Sequence, residues 1–504
     1  IYTQPPRLSG VGFLRWIWRQ LTSMRTALVL LLLLAVASIP GSIFPQRSQN
    51  PLKVTDYYGT NPQLAQWLDR FSLFDVYSSA WFSAIYILLF ISLIGCVVPR
   101  TWEHAKSVRA LPPLTPKNLD RLEEFRSMTV RAKSEEVLAI AKDVLKSKRY
   151  RIRELPDSVG AEKGFIRETG NLLFHLSLIL LLIGVAYGSL GGMKADVIIN
   201  EGETFTNVAT SYDSLRAGSL FSIDDIPPFS ITAKKFTAKY DLVTSAPLDY
   251  QLEALVTNSP ESSPREVKIR VNSPLTFGDT RVYLQANGYS PIVTVRNRSG
   301  EIVLRGPVPF LPQDGNLTST GAIKVPDMDP QLGFVAKFLP TAERTAERGG
   351  FSTFPEPLKP LLDLAAWSGD LGLDSGIPQS VYRIDTRKLT EIGLAALSPG
   401  QRWDLPNGIG SITFEGFVPW VNLQVVRDPG KEYSLLGAIL ILLGLLVSLF
   451  GRRHRIWVRV RSSKQDTIVE IAGLTRSPGL DHEIASLVRV IENNSGKGAD
   501  GINE

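Results

Sequence analysis

The sequence holds four histidines and one cysteine, and this short inventory narrows the chemistry open to it. His104, His454 and His482 stand in polar, basic surroundings. His175 stands inside Asn171–Leu190, NLLFHLSLILLLIGVAYGSL, and is the one residue from Leu172 to Leu190 that titrates near neutral pH. At about 1.5 Å per residue the run is roughly 28 Å long, enough to cross a bilayer core of about 30 Å. An ionisable side chain in such a segment is costly and points to function. Imidazole is also a common axial ligand of haem iron. The competing reading is a neutral imidazole bonded to a carbonyl or hydroxyl on a neighbouring helix, and the stretch alone leaves both open.

Much other chemistry is excluded. Cys96 lies in an apolar run, so no intrachain disulfide, multi-cysteine zinc site or CxxC pair can form. Residues 191–432 contain no histidine, which removes the commonest general base and most zinc sites from that long segment. No Ser-His-Asp constellation, Walker loop, HExxH or nucleotide fingerprint is present. The formal charge of +6, from 55 basic and 49 acidic residues, raises nucleic acid as a partner. Its distribution argues instead for basic loops on one side of a membrane and no nucleic acid.

Four apolar runs position these residues. The fold class read from them is a polytopic membrane protein with four transmembrane α-helices, a large extracytoplasmic β-rich domain and a small cytoplasmic α+β element. Residues 1–23 read as a cytoplasmic N-terminus, 24–44 as the first span, 45–80 as an external loop and 81–98 as the second span. Residues 99–171 read as the cytoplasmic α+β element and 172–190 as the third span, carrying His175. Residues 191–432 read as the extracytoplasmic β-rich domain, 433–450 as the fourth span and 451–504 as a cytoplasmic basic tail. The orientation follows from Arg7, Arg15, Arg19 and Arg25 within residues 1–26, the basic 100–167 segment, and Arg452, Arg453, Arg455, Arg459 and Arg461 after the last span. The first span also reads as a signal peptide, with Ala35–Ala37 as a small-residue cleavage site.

Within these regions, Pro99–Arg100 reads as the end of the second span, and Gln63–Phe71 as a short amphipathic helix in the external loop. Ser134 reads as the N-cap of a helix reaching about Lys148, and Tyr150–Glu154 with Val159–Gly164 as a hairpin. Thr467–Ile471 and Asp481–Ile491 read as a strand and a helix of the tail. Short alternating segments such as Ala195–Ile199, Gln251–Val256, Arg281–Gln285, Pro291–Val295 and Ser411–Phe414 predict antiparallel strands, and Glu356–Trp367 a helical insertion. Arg25 and Arg167 fall near the level of His175. They are candidates to pair with haem propionates, against a plain membrane-anchoring reading.

Several stretches resemble the ResB-type membrane proteins of cytochrome c biogenesis, the System II or Ccs pathway. They are Leu21–Gln46, LTSMRTALVLLLLLAVASIPGSIFPQ; Glu168–Gly188, ETGNLLFHLSLILLLIGVAYG; Val271–Tyr289, VNSPLTFGDTRVYLQANGY; and the basic-flanked last span. Residues 301–396 and the tail match only loosely. The resemblance implies a retained first helix, a multi-pass place in the plasma membrane, and a subunit of a haem-delivery and cytochrome c synthase complex that is not catalytic alone. It places the family's membrane histidine, an axial ligand of haem b, on His175. It implies as partners a CcsA or ResC-type tryptophan-rich membrane protein, apocytochrome c, thioredoxin-like thiol-reducing proteins of the pathway, and membrane lipid. The alternative is a membrane-anchored scaffold whose β domain binds a protein and whose His175 is structural.

Overall fold

A computed structural model describes residues 9–49, 51–373, 380–463, 466–475 and 479–495. The chain divides into two compact units, Ile1–Gly184 together with Glu432–Glu504, and Val185–Lys431. Its helices run in order α1 (Gly10–Leu21), α2 (Met24–Ile43), α3 (Pro51–Thr60), α4 (Pro62–Arg70), α5 (Ala80–Arg109), α6 (Ser134–Ser147), α7 (Ile166–Gly191), α8 (Lys431–Phe450) and α9 (Leu480–Ser495).

Helices α2, α5, α7 and α8 are long and apolar enough to cross a membrane. Many of their leucines, such as Leu28, Leu32, Leu442 and Leu449, are not covered by protein. A helix that is apolar all round and still uncovered needs lipid as its solvent. The second span differs from its expected end, because α5 continues through Pro99 to Arg109. Proline removes the backbone bond to the Gly95 carbonyl, and the helix continues past it with the Thr101 hydroxyl donating to the Val97 carbonyl at 2.9 Å.

Helices α7 and α8 meet along their smallest residues. Gly170, Ser177 and Gly184 are the buried residues of α7, and Gly437 and Gly444 those of α8. A Cβ on Gly444 would lie 2.5 Å from the Phe174 nitrogen, one on Gly437 2.8 Å from the Leu181 nitrogen, and one on Gly170 2.5 Å from the Ser448 nitrogen. Both sets repeat every seven residues, the spacing that keeps one seam facing a partner along a left-handed crossing.

The α+β element is built from both ends of the first unit. Its antiparallel sheet runs Glu124–Val130, Asp466–Thr475, His454–Ser463, Ser158–Lys163, Arg151–Leu155. The stretch expected to be a basic tail therefore supplies the centre of the sheet. Alternation explains it: Ile456, Val458 and Val460 enter the core with α6 and α9, while Arg455 and Arg459 face the other way onto Glu162 and Glu470. Helix α6 begins at Ser134 with Lys133, not Ser134, in the cap position. Between α2 and α5, helices α3 and α4 close a small core of Val54, Ala65, Leu68 and Phe74.

The second unit is β-rich. Strands Thr280–Asn297 and Gly410–Arg427 pair along their lengths, with irregularities near Leu284 and Ile292, so two predicted strands are one. One half of this ribbon packs Val282, Leu284, Leu423 and Val425 against a four-stranded sheet. The other half packs Val293, Val295, Ile412 and Phe414 against a five-stranded one. Trp420 is fully buried on the ribbon, with its indole N–H donating to the Tyr289 and Phe310 carbonyls at 3.2 and 3.1 Å. The helical insertion expected at Glu356–Trp367 is instead the strand Leu361–Ser368. Leucine and alanine favour helix, but Leu362, Leu364 and Ala366 alternate into the core between two neighbouring strands, and that packing overrides propensity.

Candidate functional site

Helix α7 carries Arg167, Asn171 and His175 at i, i+4 and i+8, so they stand on one stripe, each about 6 Å from the next along the axis. On the helical wheel this stripe lies off the glycine seam to α8. Thr169, which meets His104 of α5 at 2.9 Å, lies on the opposite flank of the seam from this stripe.

His175 is half-buried, and its Nδ1 lies 2.8 Å from the Asn171 carbonyl oxygen. A carbonyl can only accept, so Nδ1 carries the proton and the neutral ring presents the lone pair of Nε2. Among the described residues Nε2 has no hydrogen-bond partner. Phe174 sets an edge-to-face contact, with centroids 5.0 Å apart, against the ring. The bond goes to the histidine's own helix rather than to a neighbouring one. It fixes ring orientation and tautomer in the way ligating imidazoles are held.

Below His175 on the stripe is a cavity of about 590 Å³ lined by Arg167, Glu168, Asn171, Arg453 and Arg455, with Ser448 of α8. Arg453 pairs with Glu162 at 2.6 Å and with Glu168, and Arg455 with Glu162 at 2.6 Å. Burial acts against the charge on Arg453, but the two carboxylates outweigh it and hold the guanidinium above the ordinary arginine range. Arg167 is exposed, and its guanidinium has no carboxylate partner among the described residues. Beside His175, Leu176 joins Val98, Pro99, Trp102 and Ala105 in an apolar groove of about 450 Å³. The arrangement offers one neutral nitrogen ligand, an apolar wall and a cationic pocket one to two turns away.

Of the residues singled out in the sequence, Arg167 lines the pocket. Arg25 sits exposed in the first turn of α2 and is not one of the lining residues. Arg453 and Arg455 were read only as charges that orient the last span. Their alternation with His454, Ile456 and Val458 was the signal that they belong to a strand.

This fold and this stripe define a class: multi-span membrane proteins with a histidine in an apolar span, a large β-rich unit and a sheet closed by strands that follow the fourth span. Residues 24–484 match the ResB-like family, and the chain belongs to that family. It is similar to a cytochrome c biogenesis protein CcsB of Synechococcus sp. (strain WH7803), 27% identical over 444 residues, 87% of this chain and 89% of the relative. It is also similar to one of the same description from Prochlorococcus marinus (strain NATL1A), 24% identical over 481 residues, 94% of this chain and 98% of the relative.

Proposed function

We propose that this protein serves cytochrome c biogenesis as a haem-handling membrane subunit, with His175 as an axial ligand of haem iron on the way to apocytochrome c. The observation that carries the reading is the Nε2 of His175, which the Nδ1 bond to Asn171 leaves without a partner among the described residues, set above a pocket whose Arg167 has no carboxylate partner among them. The residues fit the cargo: an imidazole for iron, the Leu176–Trp102 groove for an apolar ring edge, and Arg167 for a carboxylate. The arginines within residues 1–26 and after α8, with the basic 100–167 segment, support a cytoplasmic position for the pocket, the α+β element and both termini. The β-rich unit then lies outside the cell, in a multi-pass protein of the plasma membrane.

In this reading Asn171 fixes the tautomer of His175, and Arg167 orients the cargo's acidic edge toward the cytoplasmic side. With one cysteine, Cys96, inside α5, the thiols for covalent attachment come from the CxxCH of apocytochrome c, kept reduced by thioredoxin-like proteins. A CcsA or ResC-type tryptophan-rich membrane protein completes the synthase. The test is His175→Ala in the purified complex. Alanine keeps the helix apolar and adds no insertion cost, so abundance is expected to hold while haem absorbance and cytochrome c maturation are lost. Added imidazole is expected to restore part of both. Wild-type haem absorbance and cytochrome yield at normal abundance would instead make His175 structural, the behaviour of a scaffold.

A further inference from the structure

Helix α1 has a face that the described residues leave largely uncovered. Its sequence, GVGFLRWIWRQL, puts Phe13, Leu14, Ile17, Trp18 and Leu21 on one side, and Arg15 and Arg19, at i and i+4, on the other. Val11, Phe13, Leu14, Ile17 and Trp18 are between 40% and 68% exposed. From Ser9 to Gln49 the chain has no acidic residue, and neither arginine has a carboxylate partner among the described residues. In water such a face would be an aggregation liability.

The direction in which α1 leaves the membrane span is fixed. The Ser92 hydroxyl and the Cys96 thiol of α5 donate to the Leu21 and Thr22 carbonyls at 2.6 and 2.7 Å. Thr26 donates to the Gln20 carbonyl at 2.7 Å, and Ser23 caps α2. Gly95 gives the elbow room, since a Cβ there would fall 2.1 Å from the Thr22 methyl. The elbow thus ties the end of α1 to the start of the span α2 and to α5.

We propose that α1 is an in-plane membrane anchor. It sinks its Phe13–Leu14–Ile17–Trp18 face into the headgroup–acyl boundary and holds anionic lipid phosphates with Arg15 and Arg19. Length, moment and aromatic flanks suit an interfacial helix rather than a span. The leaflet is the one where α2 begins, which on the topology proposed above is the cytoplasmic leaflet with its negative surface potential.

The experiment uses the full chain in nanodiscs of phosphatidylcholine and phosphatidylglycerol, in a Cys96→Ser background that keeps a donor at the elbow. Spin labels go on Leu14→Cys and Gly12→Cys, on opposite faces, with Val11→Cys as a second apolar position and Leu31→Cys on α2 as the lipid reference. The label at 14 is expected to be reached by oxygen and shielded from a water-soluble nickel chelate, and the label at 12 the reverse. Access of nickel to position 14 would overturn the proposal by placing α1 in water. An immobile label shielded from both agents would overturn it by showing that a protein covers the face. Arg15→Gln and Arg19→Gln are each expected to lower the preference for phosphatidylglycerol about five-fold. An unchanged preference in the double variant would remove the headgroup role.

Discussion

The α7–α8 pair and the β-rich unit bury opposite kinds of residue. The two helices hide glycines and a serine and leave their leucines outward. The β unit hides Trp420, Phe310, Phe334, Phe338 and Phe414. The difference is one of solvent. Lipid tails are as apolar as leucine, so burying a large side chain between membrane helices brings no hydrophobic gain, and close backbone approach decides the contact. In water each buried aromatic removes a large apolar area, and that gain drives the fold. On α7 the glycine seam binds α8, and the Arg167–Asn171–His175 stripe lies off that seam.

Substitutions can break this contrast from either side. Trp420→Ala should have the largest effect, about 3–5 kcal/mol, since it opens a cavity at a fully buried position of the ribbon and removes the indole N–H from the Phe310 and Tyr289 carbonyls, the latter keeping the Phe310 N–H. Hydrogen exchange of strand Gly410–Arg427 should rise accordingly, and unchanged protection would mean that the ribbon does not depend on its central aromatic. Gly444→Ala should cost about 1–3 kcal/mol by overpacking the seam, although in the interior of a helix exposed to water the same change is favourable. Unfolding in mixed micelles would measure it. Ser177→Ala should cost less than about 1 kcal/mol, because its hydroxyl bonds the Leu173 carbonyl of its own helix. A larger loss there would mean that polarity, not size, holds the seam.

A smaller effect belongs to the α+β element. His454 is buried at the start of its strand, facing Glu483, Lys163 and Arg452. Burial leads, with Lys163 and Arg452 adding and Glu483 opposing, and the imidazole is held below its ordinary range. The folded state therefore takes up the proton less readily than the unfolded one. The stabilisation is complete above the ordinary histidine range and is lost as pH falls below about 6.5. Exchange protection of His454–Ser463, corrected for intrinsic rates, should fall over that window, and His454→Leu should flatten the dependence.

The sequence displayed the four spans because a long apolar run has one fold available in lipid, and it displayed most strands through their alternation. It concealed features that depend on distant partners. The strand His454–Ser463 reads as topogenic charge until Ser158–Lys163 and Asp466–Thr475 lie beside it. Leu361–Ser368 reads as helix until its neighbours claim alternate residues. The site was half legible. His175 announces itself by type and Arg167 by level, but Arg453 joins the pocket across 291 positions of chain through Glu162, a pairing no local pattern contains. The heptad of small residues was present in both helices and needed only to be read in pairs.

That same central strand sets an order of manufacture. The hairpin Arg151–Lys163 and helix α6 leave the ribosome early, yet the strand that covers the hairpin's open edge follows the last membrane helix. Until α8 has been inserted, the nascent element waits with an unpaired edge and half a core. Closure of this sheet therefore doubles as a completion signal. A chain that stops before this strand keeps the edge of Ser158–Lys163 unpaired.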